Sequence, residues 1–364
     1  MSSRVGAPEI VSAPVFDPAG SGYHTFRIPS VLARGELVLA FCEGRLHGSG
    51  DAGEIEIVLR RSLDGGLTWQ PLQVVSAQPG KTCGNPVPLF DPASGDIVLV
   101  TVENGAHAVE MSLARGTDPV DGRRIFVQRS SDDGATWSPT VEITAQVKPG
   151  DWGWYATGPC HGITLRSGRL VVPANHSFVP SEPVDDLIRL NGGHCIYSDD
   201  GGVTWSVGFV DRNDGTEINA NETTVAELPD GRLYFNARNH KGTGPARVHA
   251  WSSDGGQTLD APYAGIPEIT APGIQGSVIC LPDGRLLLST PVNPSSRREL
   301  TVFVSEDAGA SWQPALVVHE AMAGYSDLVQ LADGSVGIFY EAGETSSFAT
   351  LRFATFALQR LEMS

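Results

Sequence analysis

A pair of β-hairpins can be read six times along the 364 residues of this chain. The first element of each pair is an apolar strand, a tight glycine-bearing turn and a second apolar strand. It occurs as SVLARGELVLAF, PVPLFDPASGDIVLVTV, GITLRSGRLVVPA, TVAELPDGRLYFNA, SVICLPDGRLLLS and LVQLADGSVGIFY. Short apolar runs bounded by Gly, Pro and Asp are the pattern of strands joined by tight turns. The second element ends five times in a variant of one turn: SLDGGLTW, SSDDGATW, SDDGGVTW, SSDGGQTL and SEDAGASW. These begin at Ser62, Ser130, Ser198, Ser252 and Ser305, which lie 68, 68, 54 and 53 residues apart. Such intervals suit four-stranded units joined by loops of variable length. The sixth slot holds LRFATFALQRL, a strand without the turn.

The expected fold is therefore all-β, one closed six-bladed β-propeller forming a single domain over residues 1–364. A terminal strand from PEIVSAPVF would complete the last blade beside ATFALQRL and so remove an exposed sheet edge. In each repeated turn an Asp can accept bonds from backbone N–H groups of the bend, a Gly takes the required dihedrals, and a Trp covers a seam of the core. Asp64, Asp133, Asp200 and their equivalents are thus read as devices of the fold. Calcium is not expected, because each repeat offers too few carboxylates at ligand spacing.

Composition narrows the function. With 41% apolar residues the chain can bury an extended core. Its 25 Lys and Arg against 42 Asp and Glu leave a formal charge of −17, which argues against a phosphate-backbone binder, so nucleic acid is not an expected partner. Cys42, Cys83, Cys160, Cys195 and Cys280 are odd in number and far apart, and are expected to be free, mostly buried thiols. MSSRVGAPEIVSAPVF lacks the apolar segment of a signal peptide, and no run reaches the roughly 18 residues that span a bilayer. The expected location is cytoplasmic, or secreted or periplasmic if a signal has been removed.

The repeats also locate unusual residues. In an antiparallel hairpin the start of the first strand and the end of the second lie at the same end. Arg27, Glu222 and Tyr325 come shortly before first strands; Arg45 and Arg238 come just after second strands, and Arg297 a few residues beyond another. If six hairpins radiate about one axis, all converge on one mouth of the channel. Asp51, on the glycine-rich loop GSGD, can reach over it. Arg27, Arg238 and Arg297 come from three different blades, and guanidinium forks held together call for an anion, since planar donors match a carboxylate bidentately.

These features closely resemble the bacterial and animal exo-sialidase (neuraminidase) family. The resemblance rests on F-R-I-P at Phe26 to Pro29, E-G-R at Glu43 to Arg45 leading to Asp51, the five turns, N-E-T at Asn221 to Thr223, and Y-S-D-L at Tyr325 to Leu328. It covers essentially the full length. It implies that Arg27, Arg238 and Arg297 clamp a substrate carboxylate, with Arg298 the rival for the third place. It implies Tyr325 as nucleophile, Glu222 as its general base, Asp51 as the acid/base, and Arg45 as a further pocket arginine. Two turns depart from the pattern, with Leu259 in place of Trp and Ser311 in place of Thr, which bears on blade packing rather than chemistry.

The implied reaction is retaining hydrolysis of terminal sialic acid from oligosaccharides, glycoproteins or glycolipids. A trans-sialidase, or a non-catalytic propeller that binds acidic glycans, stands as the alternative. Sialic acid carries a carboxylate on its anomeric carbon, so a neutral phenol avoids the repulsion a carboxylate nucleophile would meet. A phenol with a pKa near 10 needs a neighbouring base, which Glu222 supplies. Asp51 would protonate the leaving oxygen and then activate water. No metal or cofactor is required. Trp152, Trp154 and Tyr155 lie on the mouth side and either stack on the aglycone or pack internally; His161 and Asn175 are either rim donors or structural. His161, His176 and His194 lack a tight metal spacing, and Cys160 shows no sign of a thiolate nucleophile.

Overall fold

The computed structural model describes residues 10–116, 121–180, 191–212 and 217–362. Strands dominate; among the described residues helix is confined to Glu110–Ala114, Thr144–Val147 and a 3-10 segment at Leu358–Glu362. Among the described residues no helix is long and apolar enough to cross a membrane.

Among the described residues the strands form four sheets, within which the antiparallel pairings fall into six successive groups, the first two bridged in parallel at Ile55 and Thr82 and the last two sharing a strand. The first pairs Thr25–Arg34, Leu37–Arg45, Ile55–Ser62 and Gln73–Ser76 in that order. The second pairs Lys81–Phe90, Ile97–Gly105, Arg124–Ser130 and Val141–Glu142. In the third, Leu170–Phe178 pairs with Trp152–Thr157 and Ile163–Thr164 on one side and with Asn191–Ser198 on the other, which in turn pairs with Ser206–Val210. The fourth comprises Ala220–Glu227, Leu233–Asn239, Arg247–Ser252 and Ala264–Gly265. The fifth runs Ser277–Cys280, Leu286–Pro291, Arg298–Ser305 and the first part of the 18-residue strand Gln313–Gln330. The last part of that strand opens the sixth group, followed by Val336–Gly343, Thr350–Phe356 and the N-terminal Val11–Phe16. The N-terminal strand thus joins the C-terminal one as expected, with Pro8 and Glu9 of the expected segment outside the described residues.

Apolar seams lie between consecutive groups. Leu39, Phe41 and Leu59 of the first pack with Ile97 and Leu99 of the second, and the last group closes on the first through Phe339, Leu351 and Phe353 against Phe26, Val31 and Val58. The side chain that ends each repeated turn reaches one of these seams. Trp69 meets Phe353 edge-on at 5.5 Å, Trp137 meets Phe41 at 5.8 Å, and Trp312 meets Tyr234 at 5.8 Å. Leu259 takes the equivalent place, half-buried against Phe209, Phe235 and Tyr263. An aliphatic side chain therefore still covers that seam, with less surface than an indole would bury.

Within the turns, Asp64 Oδ1 accepts from Thr68 N at 2.8 Å and from Ser62 Oγ at 2.7 Å, while Gly66 N donates to Ser62 Oγ at 2.8 Å. Asp200, Asp254 and Asp307 repeat this, and Ser311 replaces Thr without loss, donating from N at 2.9 Å and Oγ at 2.6 Å. The second turn corrects the reading of Asp133. Asp132 is the acceptor for Thr136 N and Oγ1, at 2.8 and 2.7 Å, whereas Asp133 takes a left-handed φ of 57° and pairs with Arg34. The ring of bonds requires the carboxylate two residues after the serine, and of the two adjacent aspartates only Asp132 stands there.

Four of the six hairpins share one tight connection. Leu165, Leu228, Leu281 and Leu331 each donate from N to the carbonyl four residues on, at 2.8 to 2.9 Å. The glycine in each of these turns has a φ between 84° and 92°, a region where a Cβ is strained. All five cysteines are free, and Cys280 alone is not fully buried.

Candidate active site

The strands nearest the centre do not run smoothly to their mouth ends. Register shifts fall between Arg27 and Ser30, Gly84 and Val87, Ala220 and Thr223, and Ala323 and Ser326. A bulge turns a side chain away from strict alternation; three of these carry Asn85, Glu222 and Tyr325, and the fourth carries Ile28 directly after Arg27. Because the chain stays paired through the bulge, Arg27, Glu222 and Tyr325 lie inside strands rather than before them, and Arg45 and Arg238 lie inside theirs rather than after them. Ile28, a β-branched residue, takes a φ of 60° there, a costly conformation that the surroundings must hold.

What holds it is Glu341. This wholly buried carboxylate accepts from Arg27 Nε at 2.9 Å, Ile28 N at 3.2 Å and Tyr325 N at 3.1 Å. It joins the last group to the first at the point where their functional side chains emerge.

The bulged residues face a polar cavity of about 230 Å³ that also receives Arg27, Arg45, Asp51, Arg238 and Arg297. The Tyr325 hydroxyl donates to Glu222 Oε1, and Arg238 Nη1 donates to Glu222 Oε2 at 3.0 Å. Burial and the Glu222 charge push the phenol pKa up, against the pull of Arg238, Arg27 and Arg297, so Tyr325 rests protonated. The Arg27 and Arg297 guanidinium groups lie 5.1 and 5.4 Å from the Tyr325 ring centre. Arg297 Nη1 is buried without a hydrogen-bond partner among the described residues. Arg298 is exposed and does not line the cavity.

Asp51 is exposed at the rim, with Oδ1 2.8 Å from Arg45 Nη2 and 3.5 Å from Arg27 Nη1. Desolvation pushes its pKa up, but Arg45 and then Arg27 outweigh it and hold the carboxyl below its ordinary value. Arg45 is anchored by Glu43 Oε2 at 2.7 Å.

A match to the BNR repeat-like domain extends over residues 35–338. An exo-α-sialidase of Aspergillus fumigatus is 32% identical, the match covering 94% of this chain and 83% of the fungal protein. The chain belongs to the exo-α-sialidase family of glycoside hydrolases. A sialidase of Micromonospora viridifaciens is also 32% identical over 92% of this chain, which spans 52% of that longer protein. Among solved structures, a Hadza microbial sialidase superposes with a TM-score of 0.83 at 27% identity, covering 96% of this chain and 69% of that one. The intramolecular trans-sialidase of Ruminococcus gnavus shares the fold, with a TM-score of 0.79 at 19% identity and coverage of 97% and 98%.

Against that family background, other sequence candidates divide clearly. Trp154 lines the cavity and donates from Nε1 to Asn175 Oδ1 at 3.0 Å. Trp152 and Tyr155 are core residues, Trp152 stacking on His176 at 3.9 Å. His161 is structural: its Nδ1 lies 2.8 Å from Asp327 Oδ1, and that carboxylate also accepts from Val31 N and Ser277 Oγ, tying several groups of strands together. His176 and His194 are buried with their Nδ1 atoms 3.2 Å apart. Burial, and after it Asp327, pushes the Cys160 thiol well up, so it carries no thiolate.

Reading the sequence missed Glu341, although GIFYEAG puts it at the strand end where Arg45 and Arg238 were noticed. It also missed Arg123 and Glu110, which line the cavity from outside the repeated hairpins and follow no repeated pattern.

Proposed function

We propose that this chain is a retaining exo-α-sialidase that releases terminal sialic acid from glycoconjugates through a tyrosyl-sugar intermediate. Its framework is read as one six-bladed β-propeller domain over residues 1–364. The six antiparallel groups and the seam joining the last to the first support that architecture. The observation that carries the mechanism is the hydrogen bond from the Tyr325 hydroxyl to Glu222 inside a cavity shared with Arg27, Arg238 and Arg297.

In this reading the three arginines take the substrate carboxylate, fixing the anomeric carbon over Tyr325 and supplying positive potential in a largely enclosed site. As the bond to the aglycone breaks, Tyr325 Oη attacks the anomeric carbon and its proton passes to Glu222. Asp51 gives its proton to the leaving oxygen. In the second half, Asp51 as carboxylate takes a proton from water, the water attacks the same carbon, and Tyr325 leaves with the proton held by Glu222. Two displacements retain configuration. Asp51 is ionised at rest because Arg45 and Arg27 hold it down. A substrate carboxylate engaging Arg27 weakens that field and excludes water, and both effects raise the Asp51 pKa when a proton is needed.

The test is time-resolved product analysis on α2,3-sialyllactose, with a parallel reaction in excess lactose. Free sialic acid as the first product in both supports hydrolysis. Predominant transfer to lactose would replace it with trans-sialidase activity.

A further inference from the structure

Beside the catalytic cavity lies a second cleft of about 650 Å³, and the two share Ala108, Leu113 and Arg123 in their walls. Among the described residues the cleft is lined by Arg123, Arg124, Lys148 and His107 and by one acidic side chain, Glu142, which lies 3.5 Å from Arg124, while His107 pairs with Asp121 at 3.2 Å. On a chain of formal charge −17 this is a local reversal of sign. Arg123 is only 6% exposed. Its Nη1 donates to Asn104 Oδ1 at 2.7 Å and its guanidinium lies 4.2 Å from the Trp154 ring centre, but the buried Nε has no hydrogen-bond partner among the described residues. Lys148 Nζ donates to the Arg123 carbonyl at 3.2 Å. Among the described residues neither cation has a carboxylate within ion-pair distance.

Burial is the main strain on both. It pulls Arg123 down to about 10, against Glu43, Glu110 and Asp51, and together with the Arg123 charge it pulls Lys148 down to about 8. Two adjacent, largely desolvated cations without a paired acid are costly unless an anion joins them. In the proposed mechanism the substrate carboxylate goes to Arg27, Arg238 and Arg297, so Arg123, in the wall common to both cavities, and Lys148 have no anion assigned to them.

We propose that this cleft is a second anion subsite, which receives a carboxylate carried by the departing part of the glycan. The substrate class is an oligosialoside, in which the sugar next to the terminal residue bears its own carboxylate. The inference rests on the sialidase reading, since the cleft matters to catalysis only if a glycan is anchored next door.

The test compares kcat/KM on an α2,8-linked disialoside with that on the same disialoside whose inner carboxylate is reduced to an alcohol, α2,3-sialyllactose serving as reference. The native acid is expected to be favoured about tenfold, chiefly through KM, the size of one charge-assisted contact. Lys148→Met should abolish that preference and leave sialyllactose hydrolysis within about twofold of wild type. Equal values for the acid and the alcohol in wild type, or an unchanged preference in Lys148→Met, would overturn the subsite. If Lys148→Met does not fold, the wild-type acid-to-alcohol ratio in rising salt decides: it should shrink toward one, and a constant ratio counts against the proposal. Failure to release sialic acid from any of the three substrates would instead defeat the sialidase reading itself.

Discussion

The Tyr325 hydroxyl donates to one oxygen of Glu222 while the other oxygen of that carboxylate accepts from Arg238 at 3.0 Å. The phenol thereby has a carboxylate acceptor, and that carboxylate has a cation that fixes its orientation. In the proposed mechanism the same arginine also meets the substrate carboxylate, which would link binding to activation of the phenol.

A 3-fluorinated sialosyl fluoride is expected to accumulate as an adduct on Tyr325, located by peptide mass mapping. Tyr325→Phe should lose trapping, and Glu222→Gln should slow turnover by about 10²–10⁴-fold, the usual contribution of a positioned base. An adduct on Asp51 or Glu222 would refute the tyrosyl mechanism.

Asp51→Ala should impair sialosides with basic leaving groups far more than an aryl sialoside, because protonation matters most for a poor leaving group. Since the two arginines depress the Asp51 pKa, its protonated form is lost as pH rises through a range below the ordinary carboxylate value. The pH profile of kcat/KM for an alkyl sialoside should therefore fall with rising pH in the acidic range, and Arg45→Met should move that fall upward. Equal losses on both leaving-group classes would count against the assignment.

The two adjacent aspartates of the second turn should behave differently. Asp132→Ala removes the acceptor for Thr136 and should lower Tm by a few degrees, whereas Asp133→Gly relieves a left-handed non-glycine residue and should leave Tm nearly unchanged. Thermal melts of both variants decide it; the reverse order would contradict the bonding seen in the turn.

Buried His176 and His194 predict acid lability. Burial first, then the Arg212 charge, pulls His176 down to about 3, and burial with His176 depresses His194 further. Between that value and the ordinary 6.5 the unfolded chain binds more protons than the folded one. Stability is then full above pH 6.5 and declines as pH falls toward 3, by on the order of 4 kcal/mol for one such group. Melts from pH 7 to 4 should show a falling Tm, and His176→Phe should make the slope shallower. An identical slope in that variant would remove the pair as the cause.

The sixfold organisation was legible because its signals are local. A turn motif names its own Ser, Asp, Gly and Thr within eight residues, and a hairpin declares itself by two apolar runs about a glycine, whatever lies elsewhere in the chain. From hairpin polarity and motif resemblance the chain also yielded Arg27, Arg45, Asp51, Glu222, Arg238, Arg297 and Tyr325, seven residues found around one cavity. Other features depended on partners distant in sequence. Arg297 and Arg298 are adjacent, and only the path of the turn that leads into the strand Arg298–Ser305 separates the one that lines the cavity from the exposed one. The bulges at Ile28, Glu222 and Tyr325, and the Glu341 carboxylate that ties Arg27 and Ile28 to Tyr325 across some 300 residues of chain, arise where separate strands meet. The sequence alone thus determined the repeated strand pattern and the inventory of reactive groups, both carried by neighbouring residues. The tertiary structure decided their aim, pairing and protonation, because those depend on burial and charge brought together by distant strands.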